Sequence, residues 1–186
     1  LHKKIPMGAG LGGGSADGAF TLTLLNQIFN LQLPQQKLLD YALMLGSDCP
    51  FFILNSPAFA TGRGEILSPT NVNLEGYTIV VVNPGIAIST KMAFSLITPT
   101  QPAMHIPDIV SLPITEWKNQ LINDFEAPVF KQFAELQTIK ETLYNKGAAY
   151  ASMTGTGSTV YAIFPTSLLS KISFDFPANY FVYTNN

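Results

Sequence analysis

The sequence predicts an α+β fold, and three observations lead there. Tyr77-Thr78-Ile79-Val80-Val81-Val82 is a continuous, largely β-branched run, the pattern of a buried strand. A dense glycine run from Gly8 to Ser15 opens directly into a segment whose apolar residues recur at helical spacing. Strand-like and helix-like segments then follow one another without the strict strand–helix–strand rhythm of a doubly wound sheet.

Length and composition narrow the class further. The chain has 186 residues, enough for one ordinary domain or two small ones. Hydrophobic residues make up 47% and charged residues 12%, which excludes a disordered, solvating chain. A net charge of −2 leaves no basic footprint for nucleic acid. No stretch approaches the roughly 18 apolar residues of a membrane-spanning helix, so no membrane partner is expected. Cys49 is the single cysteine, which excludes an internal disulfide framework; with only His2 and His105 besides, no dedicated metal site is expected. The cysteine usage and the lack of a signal peptide fit a reducing cytoplasm.

The elements follow in order. Only seven residues precede the glycine run, too few for the strand that normally anchors such a loop, so an upstream segment is expected. Ser15-Ala16-Asp17 offers capping residues and an acid for a first helical turn. Phe20, Leu22, Leu24, Leu25, Ile28 and Phe29 then predict a largely buried helix. A second helix is predicted over 34–45, with Leu38, Leu39, Ala42 and Leu45 on one face and Gly46 in its C-terminal turn. Thr61-Gly62-Arg63-Gly64-Glu65 reads as a turn between two short strands. The polar stretch 68–76 marks a boundary, giving expected domains at 1–72 and 73–186. After the strand at Tyr77, Ser89-Thr90 caps a short helix. Residues 98–115 carry four prolines and read as a loop. Helices are predicted over 115–123 and 126–146, closed by Gly147, with strands at Val160 to Phe164 and Tyr180 to Tyr183.

Several constellations can carry chemistry. Glycine at 8, 10, 12, 13 and 14 removes most Cβ atoms from the first loop, so backbone N–H groups can approach and point at an anion. The helix behind adds its positive end, and together these suit a polyphosphate. Gly8, Gly10 and Gly13 spell the dinucleotide pattern, but its strand and its acid about 20 residues on are missing. The Walker pattern fails because no lysine precedes Ser15. Asp48, in Gly46-Ser47-Asp48-Cys49-Pro50, either accepts a proton from a hydroxyl in a partly dry spot or caps the next turn. Met153 to Ser158 is a second glycine loop, able to contact phosphate or simply to turn the chain. Arg63 is either an anion contact or a surface turn residue, and Cys49 reads as a small core residue.

The segment Pro6-Met7-Gly8-Ala9-Gly10-Leu11-Gly12-Gly13-Gly14-Ser15-Ala16-Asp17 resembles the second motif of the galactokinase–homoserine kinase–mevalonate kinase–phosphomevalonate kinase (GHMP) superfamily. Five further stretches are similar in the same order: Gly46 to Phe52, Thr61 to Glu65, Pro84 to Phe94, Asn123 to Glu126 and Met153 to Ser158. The triple glycine followed by Ser-Ala-Asp resembles the branch that phosphorylates the 2-hydroxyl of a cytidylyl-methylerythritol in non-mevalonate isoprenoid synthesis.

The resemblance implies two domains. One is the later part of an N-terminal lobe like domain 2 of ribosomal protein S5; the other is a ferredoxin-like C-terminal α+β domain. It implies ATP with Mg2+, phosphate contacts from Pro6 through Ser15, and Asp48 as catalytic base. Thr90 would lie near the substrate, and Gly155, Thr156, Gly157 and Ser158 beside the phosphate loop. It also implies an upstream segment and little activity without it, and it leaves the oligomeric state open. The alternatives are another acceptor (homoserine, mevalonate or a sugar) or a non-catalytic nucleotide-binding domain.

Overall fold

A computed structural model describes residues 2–98 and 100–185. The chain forms two compact units: Gly12–Val72, and the residues up to Leu11 together with those from Asn73 onward. The sequence reading kept 1–72 together, whereas this division falls inside the glycine run, between Leu11 and Gly12.

The helical unit contains α1 (Gly13–Ile28), α2 (Gln35–Leu45), α3 (Cys49–Leu54) and a hairpin of β1 (Ala58–Thr61) and β2 (Ile66–Pro69). α1 starts earlier than expected. Gly12 holds the left-handed N-cap position, so Ser15 lies inside the first turn and Asp17 beyond it. The expected burial of α1 is also corrected. The half-buried or buried stripe runs through Ala16, Ala19, Leu22, Thr23 and Asn26, whereas Leu24, Leu25 and Ile28 point the other way. Ile28 is 64% exposed and Phe29 65%. In α2, Leu38 and Ala42 are buried as expected, but Leu45 at the helix end is exposed. The apolar run after Asp48 becomes α3, with Pro50 in its first turn, where a missing N–H costs nothing. The hairpin pairs Ala58 with Pro69 through Thr61 with Ile66, around the expected turn.

The second unit is built on a four-stranded antiparallel sheet of order β4-β5-β3-β6. These strands are β3 (Tyr77–Asn83), β4 (Tyr150–Met153), β5 (Val160–Pro165) and β6 (Phe181–Thr184). α4 (Thr90–Ser95), α5 (Ile106–Val110), α6 (Glu126–Gln132), α7 (Ala134–Asn145) and α8 (Thr166–Leu169) accompany the sheet. Val80, Val82, Val160, Ala162 and Phe164 form one core cluster with Val129, Leu136, Ile139 and Leu143 from α6 and α7. β3 alternates buried and half-buried residues rather than being buried throughout, as a strand does when helices cover one face of its sheet.

Other expectations are corrected here. Part of the expected loop 98–115 is helical, as α5, and the helix expected over 115–123 is a shorter 3-10 turn at Ile114–Asn119. Pro107 and Pro113 start these turns instead of breaking them. Pro99, counted in that loop, lies outside the described residues. The buried Trp117 anchors the turn, its indole N–H donating to the Leu112 carbonyl at 3.0 Å. The expected helix 126–146 breaks at Phe133 (φ −129°, ψ 72°) into α6 and α7. Gly147 (φ 97°) does close α7: its N–H bonds to Tyr144 O and that of Ala148 to Leu143 O, a Schellman ending.

Candidate functional site

In the sheet unit, β4 runs into β5 through Thr154–Thr159. Gly155 (φ 55°) and Gly157 (φ 92°) supply left-handed turns that side chains resist. The start of the first glycine run lies against this turn. The Thr154 hydroxyl donates to Gly10 O at 2.6 Å, and the Thr159 N–H donates to Ala9 O at 3.3 Å. Gly10 sits at φ 74°, and a Cβ there would overlap the Thr154 carbonyl oxygen and stand 3.0 Å from Gly157 O. Glycine is therefore required at position 10 on two separate grounds, conformation and space. Gly8 (φ 66°) has nothing within 4 Å of where its Cβ would be, so that side of the loop is open. Met7 is 84% exposed, Pro6 half-buried and Ala9 buried.

Ser158 and Thr159 are wholly buried. The Ser158 hydroxyl donates to Ile86 O, and the Asn83 amide donates to Ser158 Oγ at 3.2 Å and Thr159 Oγ1 at 2.9 Å. Asn83 also accepts from the Gly85 N–H at 2.9 Å. Sequence reasoning treated Asn83 only as the end of a strand. The available signal was a polar residue closing an apolar run just before Pro84-Gly85. Thr156 is half-buried in the turn. Thr90 is the exposed first residue of α4, whose N-cap Ser89 accepts from the Met92 N–H at 3.4 Å.

In the helical unit, the rest of the run, Gly12 to Ser15, forms the start of α1. Gly12 (φ 63°) has the Phe52 ring packed on it; a Cβ there would lie 2.9 Å from the ring. Phe52 itself meets Phe20 and Phe51 edge-on at 6.2 and 5.2 Å. Gly14 has nothing within 4 Å of a built Cβ. No acidic residue lies in the first turn of α1, so its positive end is not offset by the helix's own sequence.

Asp48 occupies the N-cap position of α3, but its side chain makes no capping bond. It is exposed rather than in the partly dry spot expected from its neighbours. Its carboxylate rests against the hairpin turn: a Cβ on Gly64 (φ 108°) would stand 2.7 Å from Asp48 Oδ1. The Gly62-Arg63-Gly64 turn thus leaves room for this carboxylate, a pairing that neither segment signals alone. Of its two readings, Arg63 takes that of a turn residue. Its side chain is 83% exposed and paired with Glu65 at 3.9 Å. Hydrogen bonds from the Glu65 and Arg63 backbone N–H groups hold the Glu65 carboxyl below its ordinary range. Cys49 is buried, its sulfur facing Gly46 and Gly18. Among the described residues no three His, Cys, Asp or Glu side chains gather into a group able to hold a metal ion. No described helix is long and apolar enough to cross a membrane.

Two known sequence models match the chain, the first across the glycine run and the helices after it, the second within the sheet unit. "GHMP kinases N terminal domain" matches residues 1–56, and "GHMP kinases C terminal" matches residues 114–180. The class is thus that of the GHMP kinases. A Bacteroides fragilis protein named 4-diphosphocytidyl-2-C-methyl-D-erythritol kinase is 51% identical over 176 residues, which cover 94% of this chain and 64% of that protein. A protein of the same name from Azobacteroides pseudotrichonymphae is 45% identical over 183 residues, 98% of this chain and 68% of its own length. A crystal structure titled 4-(cytidine 5'-diphospho)-2C-methyl-D-erythritol kinase superposes with a TM-score of 0.75 at 32% identity, over 87% of this chain and 59% of that one. The chain belongs to the 4-diphosphocytidyl-2-C-methyl-D-erythritol kinase family, and it spans 64% of the length of the Bacteroides relative.

Proposed function

We propose that this protein serves in the ATP-dependent phosphorylation of the 2-hydroxyl of 4-diphosphocytidyl-2-C-methyl-D-erythritol. The products are the 2-phosphate and ADP, a step of non-mevalonate isoprenoid synthesis in the cytoplasm. The observation that carries this reading is the backbone cradle at Gly10. Its Cβ space is filled by the Thr154 carbonyl, and its neighbour Gly8 is open. A loop stripped of side chains and fixed by main-chain contacts is what an incoming triphosphate needs.

Pro6 through Ser15 would hold the ATP phosphates, with backbone N–H groups and the positive end of α1 opposing their charge. Magnesium carried with the nucleotide would neutralise part of that charge during transfer. Asp48 would accept the proton of the attacking hydroxyl; the missing Cβ of Gly64 leaves room for its carboxylate. Thr90, on the first turn of α4, would lie toward the small-molecule substrate, and Gly155 to Ser158 would shape the wall of the phosphate loop. Phosphoryl transfer needs positioning and charge neutralisation more than covalent help, which suits such a site.

The test is ADP release by the complete gene product given ATP, magnesium and one acceptor at a time: the cytidylyl compound, mevalonate, homoserine or galactose. Turnover with the cytidylyl compound alone is expected. Turnover with another acceptor replaces the substrate, and silence with all four removes the kinase reading. Asp48→Asn should lower kcat by about 10²–10⁴-fold and leave nucleotide binding intact; unchanged kcat would remove Asp48 from the chemistry.

A further inference from the structure

The side chains of Asn123 and Glu126 hold the start of the second glycine turn, as Asn83 holds its end. The Asn123 amide donates to Met153 O at 2.7 Å and to Gly155 O at 2.9 Å. Its own carbonyl oxygen accepts from the Phe125 N–H at 3.0 Å, which fixes the amide's orientation. Glu126 is buried, and one carboxylate oxygen accepts from the Met153 N–H at 2.7 Å and the Ser152 hydroxyl at 3.1 Å. Its other oxygen pairs with Lys140 Nζ at 2.5 Å. One four-residue segment, Asn123 to Glu126, thereby binds both the N–H and the C=O of Met153, the last residue of β4, and reaches two residues into the turn.

Thr154 is the next residue, and it holds Gly10 twice over: through its hydroxyl and through the carbonyl that fills Gly10's Cβ space. A shift of Met153 or Gly155 by a few tenths of an ångström must move the Thr154 peptide between them. That peptide has no side chain facing it at Gly10 to absorb the change. Ser158 and Thr159 cannot compensate, because Asn83 and Ile86 O already occupy their hydroxyls.

We propose that Asn123, supported by Glu126, is a positioning residue for nucleotide binding. It sets the height of the Thr154 carbonyl and so the conformation of Ala9 and Gly10, without touching the nucleotide. This rests on the phosphotransfer reading above. It predicts an effect on nucleotide affinity separate from any effect on the acceptor. Asn123→Asp is the discriminating change. It keeps the oxygen that accepts from Phe125 N–H, but replaces the donor with a second oxygen facing two carbonyls.

The experiment compares Asn123→Asp with the parent in the complete gene product. The readouts are the Kd for Mg-ADP by calorimetry, KM for ATP and for the acceptor, and Tm. The expected result is a Kd and an ATP KM raised about tenfold or more, an acceptor KM within about twofold, and a Tm lowered by several degrees with the cooperative transition kept. Thr154→Val, which removes the hydroxyl bond to Gly10, should weaken Mg-ADP in the same way. The double variant should be weaker by less than the product of the two single effects, because both act through one contact. Unchanged Mg-ADP affinity in Asn123→Asp overturns the inference and leaves the kinase reading standing. So do multiplicative effects in the double variant, or equal losses toward both substrates. A parent protein that binds no Mg-ADP overturns both. Should Asn123→Asp fail to fold, Asn123→Ser paired with Thr154→Val gives the same comparison, and multiplicative losses there equally overturn the inference.

Discussion

The two units differ in what their apolar residues do. The sheet unit has a core of large, fully enclosed side chains, Leu136, Leu143, Val82 and Phe164 among them, although Phe94 and Ile122 stay exposed at its surface. In the helical unit the buried positions are small, mainly Ala16, Ala19, Ala42 and Cys49, while Leu24, Ile28, Phe29 and Met44 are more than half exposed. Hydrophobic stabilisation scales with apolar area removed from water, so the enclosed side chains of the sheet unit contribute far more per residue. High apolar content therefore says little about where stability resides. The arrangement of small and large residues around each helix says more.

The largest expected effect tests that contrast directly. Leu143→Ala should destabilise the sheet unit by about 2–5 kcal/mol, whereas Ile28→Ala should change stability by only about 0.5 kcal/mol. Trp117 is the only tryptophan and lies in the sheet unit, so its fluorescence in a urea titration reports that unit. Circular dichroism reports the helices of both. A fluorescence transition that ignores Leu143→Ala would break the comparison, and two non-coincident transitions would sharpen it.

The glycine run offers an intermediate effect, because its two ends belong to different units. Gly10→Ala should cost about 1–3 kcal/mol, from left-handed strain alone and before any overlap with Thr154 O. Gly14→Ala, inside α1 with open space around it, should gain about 0.5–1 kcal/mol of helix stability. Thermal melts of the two variants check the signs; equal effects would mean that the run behaves as one flexible segment.

The smallest effect concerns pH. Burial pushes the Tyr150, Tyr161 and Tyr144 hydroxyls above their ordinary value of 10.0 in the sheet unit. A group whose pKa is raised on folding stabilises fully below its unfolded pKa and loses that contribution as pH rises. The sheet unit should thus lose stability progressively above pH 10.0, with tyrosinate absorbance rising as Trp117 fluorescence reports unfolding. Ionisation of all seven tyrosines while Trp117 fluorescence still reports a folded unit would show that these hydroxyls are not shielded.

Much of this organisation was legible in the sequence. β3, α1, α2 and the turn at Gly62 follow from apolar period and turn residues, and the likeness of several ordered motifs indicated the family. The helix at Pro107 was not legible, because a proline that breaks a helix and one that starts it look alike without the preceding residue's conformation; the turn after Pro113 falls mostly within the helix expected over 115–123. The break at Phe133 has no glycine or proline to mark it. Periodicity identified α1 as a helix but chose the wrong face: of the large apolar residues it singled out, only Leu22 lies on the buried stripe. In the candidate site, both glycine loops and Asp48 stand out by composition. The bond between Thr154 and Gly10 spans 144 residues, and no local pattern announces a contact at that separation. Asn83 escaped for a related reason: an asparagine that closes a strand and one that pins a distant turn carry the same local signature, and Asn123 stood out only within a motif resemblance, not for the turn it holds.

The seam between Gly10 and Thr154 is written in main-chain atoms, and this limits how the protein can change. Every base change in a glycine codon that alters the residue adds at least a Cβ, and at Gly10 that carbon has nowhere to go. A saturation library screened for folding alone should return an empty column at Gly10 beside a populated one at Gly14. Any retuning of the cradle would then have to enter from its supports, through Asn83, Asn123 or Glu126, which makes those three positions the adjustable parts of a surface that is itself fixed.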